Sequence, residues 1–394
     1  MLKNVCLILL AFLLTLSRSA VASTPTKIEQ YEIASEKVTE QVYVLSAAYS
    51  ETSFINSAIV IGDKGVLLIT AQMEPVAPSL EAKIKELTDK SITHIFNPAS
   101  DYFHYNANDY FKERGAELIG HKALKYTQAR TDILFDDYFS MSFGDEVLTA
   151  HHTLAHNNAQ TIVYLEKSNV MLLGDAFRTN KLVYTGYHGV QGHIDGFNKA
   201  YDIANDKTLI VSGHKDLKLF SQRKELKQAG ETLSNFARIV GEKYRDGMSV
   251  ADMTKDQELL DAVAIYPIYR VQPELIKYNI SQLIELEFQP VYDIDSKDLQ
   301  DYEGQYQAHD GNILNVSFND GLLFVMQEGK FNFALNPLSP EKFELKGRTD
   351  SSHMLFHFSV SGQVTGLSPH MPKGSYYEQR IPDLIHKKLS SAQR

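Results

Sequence analysis

The sequence of 394 residues predicts an α/β fold: sheets stacked as a sandwich with helices outside, then a helical extension, then a small antiparallel β barrel. Three observations predict it. Short β-branched runs alternate with amphipathic stretches from about residue 38 to 217. Two apolar stripes at helical spacing fill residues 218–290. After Pro290 the chain turns to short strands separated by hairpin signals.

The N-terminus comes first. Lys3, the apolar run Val5–Leu16 and then Ser-Arg-Ser-Ala-Val-Ala have the charged, apolar and small-residue parts of an export signal. Cleavage is expected after Ala22, so residues 1–22 are assigned to a signal peptide and the mature protein to the periplasm or exterior. The apolar run is too short for a membrane-spanning helix, and no stable span is expected after cleavage. Cys6, the one cysteine, leaves with the peptide. The mature chain then has no disulfide and no thiolate metal ligand.

Residues 23–217 are assigned to the first domain. Val42–Leu45, Ser57–Ile61 and Val66–Thr70 read as strands, with Gly62-Asp63-Lys64-Gly65 a turn among them. Leu80, Ile84 and Leu87 predict a helix. Thr93–Phe96 is the next strand, followed by the turn Asn97–His104 and a helix over Asn108–Arg114 that Gly115 closes. Strands resume at Val147–His151, Thr161–Leu165, Val170–Leu173 and Thr208–Val211, with a helix over Phe197–Ala204. His188 and His193 are read as members of a loop.

Residues 218–290 are assigned to the helical extension. Leu226, Ala229, Leu233, Phe236 and Val240 form one stripe; Leu275, Ile276, Ile280, Leu283 and Ile284 form another. Residues 291–394 are assigned to a C-terminal β domain. Asn312–Phe318, Leu322–Met326 and Met354–Val360 are its clearest strands, and Asn319-Asp320-Gly321 predicts a hairpin. Lys387-Lys388 is read as part of a solvated tail.

The formal charge is −10, and removing residues 1–22 takes two cations and no acids. An acidic protein without a basic cluster lacks the face that nucleic acid or an anionic membrane requires. A small-molecule or peptide ligand is expected instead, with oligomerisation through the C-terminal domain left open.

Chemistry is sought among the histidines. His156 follows one strand and precedes another; Asp175 and His214 each end a strand running into a turn. Strand ends are where α/β folds gather functional groups. Ser212, His214 and Asp216 lie too close together on one strand end to form a nucleophilic triad. Tyr102, Tyr105 and Tyr110 surround the turn as a prospective aromatic floor.

In this order the residues resemble the metallo-β-lactamase superfamily over roughly residues 38 to 220. The signature is the strand-to-helix turn ending at His104, then Ala155-His156-Asn157, Gly174-Asp175 and Gly213-His214. The resemblance implies an αββα sandwich, and residues 216–286 resemble the helical extension of periplasmic members. It implies metal ligands at His104, His156, Asp175 and His214. It also exposes departures. The family's His-x-His-x-Asp-His turn is represented by Ala99, Asp101, Phe103 and His104, and the upstream family Asp by Thr70. Ala99 and Phe103 offer no donor. The donors that remain are Asp101, His104, His156, Asp175 and His214, enough for one zinc, iron or manganese ion and too few for two. His188, His193, Tyr102 and Tyr105 are the groove candidates, because the resemblance places that region beside substrate.

Tyr302-Glu-Gly304-Gln-Tyr306, Asp320-Gly321-Leu322 and Pro337-Leu-Ser-Pro340 resemble the lipocalin-like domain appended to some serine β-lactamase-like hydrolases. Two functions stay open. The first is an exported protein with a degenerate metal centre that binds a ligand without catalysis, with no metal at all if the site has fully decayed. The alternative is a single-metal hydrolase of a small ester, lactam or lactone, with Asp101 as base.

Overall fold

The computed structural model describes residues 31–49, 54–289, 292–346, 351–373, 381 and 383–390. The export signal and Cys6 lie outside the described residues.

A seven-stranded sheet runs in chain order: Ile33–Lys37 (β1), Val42–Ala48 (β2), Phe54–Ile61 (β3), Val66–Ile69 (β4), Ile92–Asn97 (β5), Glu117–His121 (β6) and Ile133–Phe135 (β7). Neighbours are antiparallel up to β4 and parallel from β4 to β7. The second sheet contains Tyr138–Phe143 (β8), Glu146–His152 (β9), Thr161–Leu165 (β10), Val170–Leu172 (β11) and Leu209–Val211 (β12), in the order β12-β11-β10-β9-β8. Only β11 and β12 pair parallel there.

Side-chain alternation with a period of two explains the layers. In β2, Val42 and Val44 join the core between the sheets, whereas Leu45 and Ala47 join the core under an outer helix. In β4, Leu67 and Ile69 face inward while Val66 and Leu68 face outward. The outer face of the first sheet is covered by Ala77–Leu87 (α1), through Leu80 and Ile84, and by Phe111. Ile162, Met171 and Ile210 of the second sheet pack against Phe197 and against Leu226, Leu233 and Phe236. The layers are therefore αββα, as the resemblance implied.

Tyr102–Tyr105 (α2) and Asn108–Lys112 (α3) form the helical turn after β5. Gly189–Ile203 (α4) replaces the expected loop: His188 caps it and His193 lies inside it. Arg223–Arg245 (α5) carries the first predicted stripe, with all five residues buried. A capping box between Gln222 and Glu225 opens it. Among the described residues no helix is long and apolar enough to cross a membrane.

The C-terminal part is a closed antiparallel barrel: Gly304–Ala308 (β13), Ile313–Asn319 (β14), Leu322–Gln327 (β15), Phe331–Pro337 (β16), Lys342–Leu345 (β17), His353–Phe358 (β18), Val364–His370 (β19) and His386–Lys388 (β20). Asp320 and Gly321 both have positive φ (49° and 78°), the turn that matches strand twist in a two-residue hairpin. β13 pairs β20 to close the barrel. Lys387-Lys388 is thus part of the closing strand and not a solvated tail. Eight strands leave room only for side chains. Tyr302, Tyr306, Phe343 and Phe356 fill the interior in edge-to-face contacts. The barrel packs on the first part, with Gly329 N–H donating to the Lys125 carbonyl (3.0 Å) and the Tyr187 ring against Phe324.

Candidate metal centre

The carboxyl ends of β4, β5, β11 and β12 lie along one edge of the sandwich, and the β9–β10 loop joins them there. Backbone bonds tie this edge together: Thr161 N–H donates to the Pro98 carbonyl (2.8 Å) and Asn56 N–H to the Gly213 carbonyl (2.8 Å). Gly213 permits a close approach, since a Cβ on it would lie 2.7 Å from Asp175 Oδ1.

Asp175, nearly buried, is the hub. His104 Nε2 lies 3.4 Å and His156 Nε2 3.7 Å from its Oδ2, and His214 Nε2 lies 2.9 Å from its Oδ1. Asp101 Oδ2 lies 3.1 Å from His156 Nε2. All five expected donors therefore meet. Asp101, His156 and Asp175 each offer an atom, and these atoms lie within 4.8 Å of one another.

Each imidazole engages an oxygen at Nδ1. For His156 it is the Tyr184 carbonyl at 3.2 Å, and for His214 the Phe54 carbonyl at 3.1 Å. For His104 it is the Thr70 hydroxyl at 3.3 Å. A carbonyl accepts only from an N–H, so Nδ1 of His156 and His214 carries the proton and Nε2 is the atom turned toward Asp175. His104 Nε2 and Asp175 Oδ1 are buried, and their polar neighbours are other members of the cluster, Asp175 Oδ2 at 3.4 Å and His214 Nε2 at 2.9 Å. Donor atoms around a four-coordinate ion with bonds of about 2.1 Å stand about 3.4 Å apart. Within the group Asp101, His156 and Asp175 the contacts of 3.1 and 3.7 Å bracket that spacing, so these three residues fit one metal ion.

Charge is coupled tightly here. Burial alone would lower His156, but the Asp101 carboxylate, with Asp175 behind it, pushes it up to about 9. His104 is raised in the same way: burial works against it and Asp175 overcomes burial. Burial would raise Asp175, yet His104 and His214 hold its carboxyl well below the usual range.

The departures from the family pattern are accommodated in pairs. Ala99 is fully buried and supplies only bulk. Asp101 accepts from Asn157 Nδ2 (2.5 Å), and these two residues stand where the family has the second His of the turn and the Thr of Gly-His-Thr. Phe103 is 39% exposed, with its ring 6.3 Å from that of His214, so it stands at the mouth of the site. Ser212 donates to the His214 carbonyl and Asp216 pairs with Arg178. Neither touches the His214 ring, and the three residues form no triad.

The groove candidates divide. Tyr102 and Tyr105 line a cleft of about 310 Å³ beside Asp101 and His156, roofed by Lys330–Phe333 of the barrel. His193 is fully buried, with Nδ1 3.2 Å from the Thr185 carbonyl and 3.3 Å from the His156 backbone nitrogen. It supports the loop of His156 and does not line a groove, because α4 turns it inward. Burial lowers it to about 3. His188 is not among the residues lining the cleft. Its charged neighbours include Asp320 and Lys346 of the barrel.

Sequence reasoning missed Asn157 as a partner of Asp101, Thr70 as a partner of His104, and Tyr184. It also missed Lys181, whose charge burial lowers and Asp175 helps sustain. A polar residue beside each ligand motif was the available signal for Asn157 and Thr70.

No family model matches the chain, and no curated protein does. Among solved structures, a metallo-β-lactamase from Pontibacter korlensis is similar at 14% identity and a TM-score of 0.46, over 52% of this chain and 100% of that one. The metallo-β-lactamase IND-7 is similar at 17% identity and a TM-score of 0.45, over 50% and 98%. The architecture is established by the strand order and layer packing described above.

Proposed function

We propose that this chain is an exported single-metal hydrolase that acts on a small ester, lactam or lactone-type substrate. One observation carries the reading. Three imidazoles engage oxygens at Nδ1 and turn Nε2 toward one buried carboxylate. A decayed site has no need to keep three oriented rings.

Asp101, His156 and Asp175 would hold the ion, with His104 and His214 flanking Asp175. Bound there, an ion would supply Lewis-acid chemistry and make water acidic enough to yield a nucleophile near neutral pH. Asp101 is the most exposed of the donors that face the cleft. Its Oδ2 is held by Asn157, which directs Oδ1 to receive a proton. Tyr102 and Phe103 at the mouth and Tyr184 on the wall exclude water and orient an uncharged acyl group. The barrel roof, read as the lipocalin-like appended domain, bounds the size of the substrate.

Metal analysis of purified protein tests the proposal. One equivalent of metal is expected, lost in His156→Ala and His214→Ala, together with hydrolysis of a chromogenic ester that falls at least about 100-fold in the same variants. Two equivalents, or none, would overturn the single-metal reading. One equivalent without turnover would leave the binding function, for which Phe103 at the mouth is the supporting feature.

A further inference from the structure

The cleft of about 310 Å³ beside Asp101 and His156 is walled by rings. Seven of its sixteen lining residues are aromatic, against 10% of the whole chain. Tyr102 and Phe103 remain 41% and 39% exposed at its mouth. Tyr102 meets Tyr105 edge to face, with ring centroids 6.3 Å apart. The barrel closes the cleft with residues 330–333.

We propose that the part of the substrate lying under the barrel is an aromatic ring bearing a carboxylate, and that Lys330 of the barrel recognises the carboxylate. The inference deepens the hydrolase reading and rests on it only for placing the reacting bond at the metal end of the cleft.

Outside the metal donors, Lys330 is the one charged side chain on the cleft wall. It is exposed, and among the described residues it pairs with no carboxylate. Asp101 and Asp175 together balance a divalent ion, so Lys330 gives the loaded cleft an excess positive charge. A cationic ligand is repelled by it, and a neutral one leaves it without a partner.

The position of Lys330 is fixed by the turn between β15 and β16. Lys330 N–H donates to the Gln327 carbonyl (3.0 Å), which closes the turn. Gly329 N–H donates to the Lys125 carbonyl (3.0 Å), which seats the turn on the first part of the chain. Lys125 itself, with its ammonium 4.7 Å from the centre of the Tyr126 ring, adds a second cation beside the turn. The rings of the wall select the body of the ligand. Offset and edge-to-face contacts with another ring contribute beyond the area they bury. A cleft near the lower bound for ligand pockets takes a small ring system.

The test is calorimetric titration of the full chain, freed of metal, with three ligands of one shape: naphthoate, naphthamide and the saturated decalin carboxylate. Naphthoate is expected to bind tightest, with the neutral amide and the saturated acid each at least about fivefold weaker. Lys330→Met keeps the apolar stem and should erase the preference for acid over amide, whereas Lys330→Arg should keep it. High salt should narrow the same gap. Tyr102→Leu should shrink the preference for the aromatic over the saturated acid and leave the charge preference in place. Lys330 is exposed, so its variants should match the parent in Tm and metal content. Equal binding of the three ligands would overturn the proposal. So would an acid preference that survives Lys330→Met, since the protonated His156 would then be its source. Because binding is read without metal and without turnover, a protein that takes up no metal sinks the hydrolase reading alone.

Discussion

Thr70 has a φ of 72°, a conformation that costs a β-branched residue on the order of 1–3 kcal/mol. The surroundings impose it: Thr70 N–H donates to the Phe96 carbonyl (2.9 Å), and Ser57 Oγ donates to the Thr70 carbonyl (2.8 Å). What the strain achieves is a hydroxyl at His104 Nδ1. Thr70→Val keeps the branch and removes the hydroxyl. It is expected to weaken metal binding about 10- to 100-fold with the fold retained, measured by competition with a chromogenic chelator alongside circular dichroism. Unchanged affinity would mean that the Thr70 hydroxyl does not set how His104 bears on Asp175. Gly213→Ala acts on the same centre from the other side. Its Cβ would displace Asp175, so stoichiometric metal should be lost while α5 and the barrel stay folded. His156, Asp175 and His214 were legible in the sequence because each sits at or just after a strand end; Asp101 and His104 were reached only through the resemblance of their turn to the metallo-β-lactamase pattern. Their orienting partners were less so. The Tyr184 and Phe54 carbonyls come from positions 28 and 160 residues away, and a carbonyl oxygen is the same in every residue.

Most strands of the sandwich were read, the edge strand β12 among them, and β1, β6, β7 and β8 were not. β10 is Thr161–Leu165 as expected, and the stripe of α5 is buried throughout. β1, β7 and β8 each close a sheet edge and carry mainly exposed or half-buried side chains, whereas β6 lies inside the first sheet and escaped notice because Gly120 and His121 cut its apolar run to two residues. Edge strands carry polar residues that block further pairing, so they lack the apolar signal. α4 was placed too late because glycines at 189 and 192 mimic a loop. Contacts explain them: Gly189 (φ 64°) would put a Cβ 1.9 Å from Glu287 Oε1, and Gly192 one 2.7 Å from His188 Cβ. In the C-terminal domain the barrel and three of its eight strands were expected, and the closing strand β20 was not, since it was read as tail and its partner β13 lies at the other end of the domain. The packed interior makes a prediction at this scale. Phe356 is 2% exposed and meets Tyr302, Tyr306 and Phe343. Phe356→Ala is expected to cost about 3–5 kcal/mol by urea unfolding. A loss under about 1 kcal/mol would show that the barrel interior is loosely filled.

Over the whole molecule, histidines with opposite shifts set how stability depends on pH. His121 and His193 are buried and neutral, each lowered to about 3 by burial. The unfolded chain takes up protons at these positions below about pH 6.5 and the folded chain does not. Stability therefore falls as pH drops through that value, by about 1.4 kcal/mol per pH unit for each group. His156 works in reverse. Raised to about 9, chiefly by Asp101 acting against burial, it keeps a proton that the unfolded chain releases near pH 6.5. Its contribution is complete below that pH and fades as pH rises through about 9. The metal-free protein should then be most stable near pH 6.5, with midpoints in urea declining on both sides. His121→Asn keeps an acceptor for the Ala123 N–H and removes a titrating ring, so it should flatten the acid arm by about 2 kcal/mol between pH 6.5 and 5. Metal alters the other arm. An ion on Nε2 of His156 displaces the proton whose loss weakens the fold, and binding to the folded state adds about 2.7 kcal/mol when free metal is 100 times its Kd. The loaded protein should hold its stability from pH 6.5 to 9, where the metal-free protein loses it. Two parallel curves on the alkaline side would show that the ion does not reach His156.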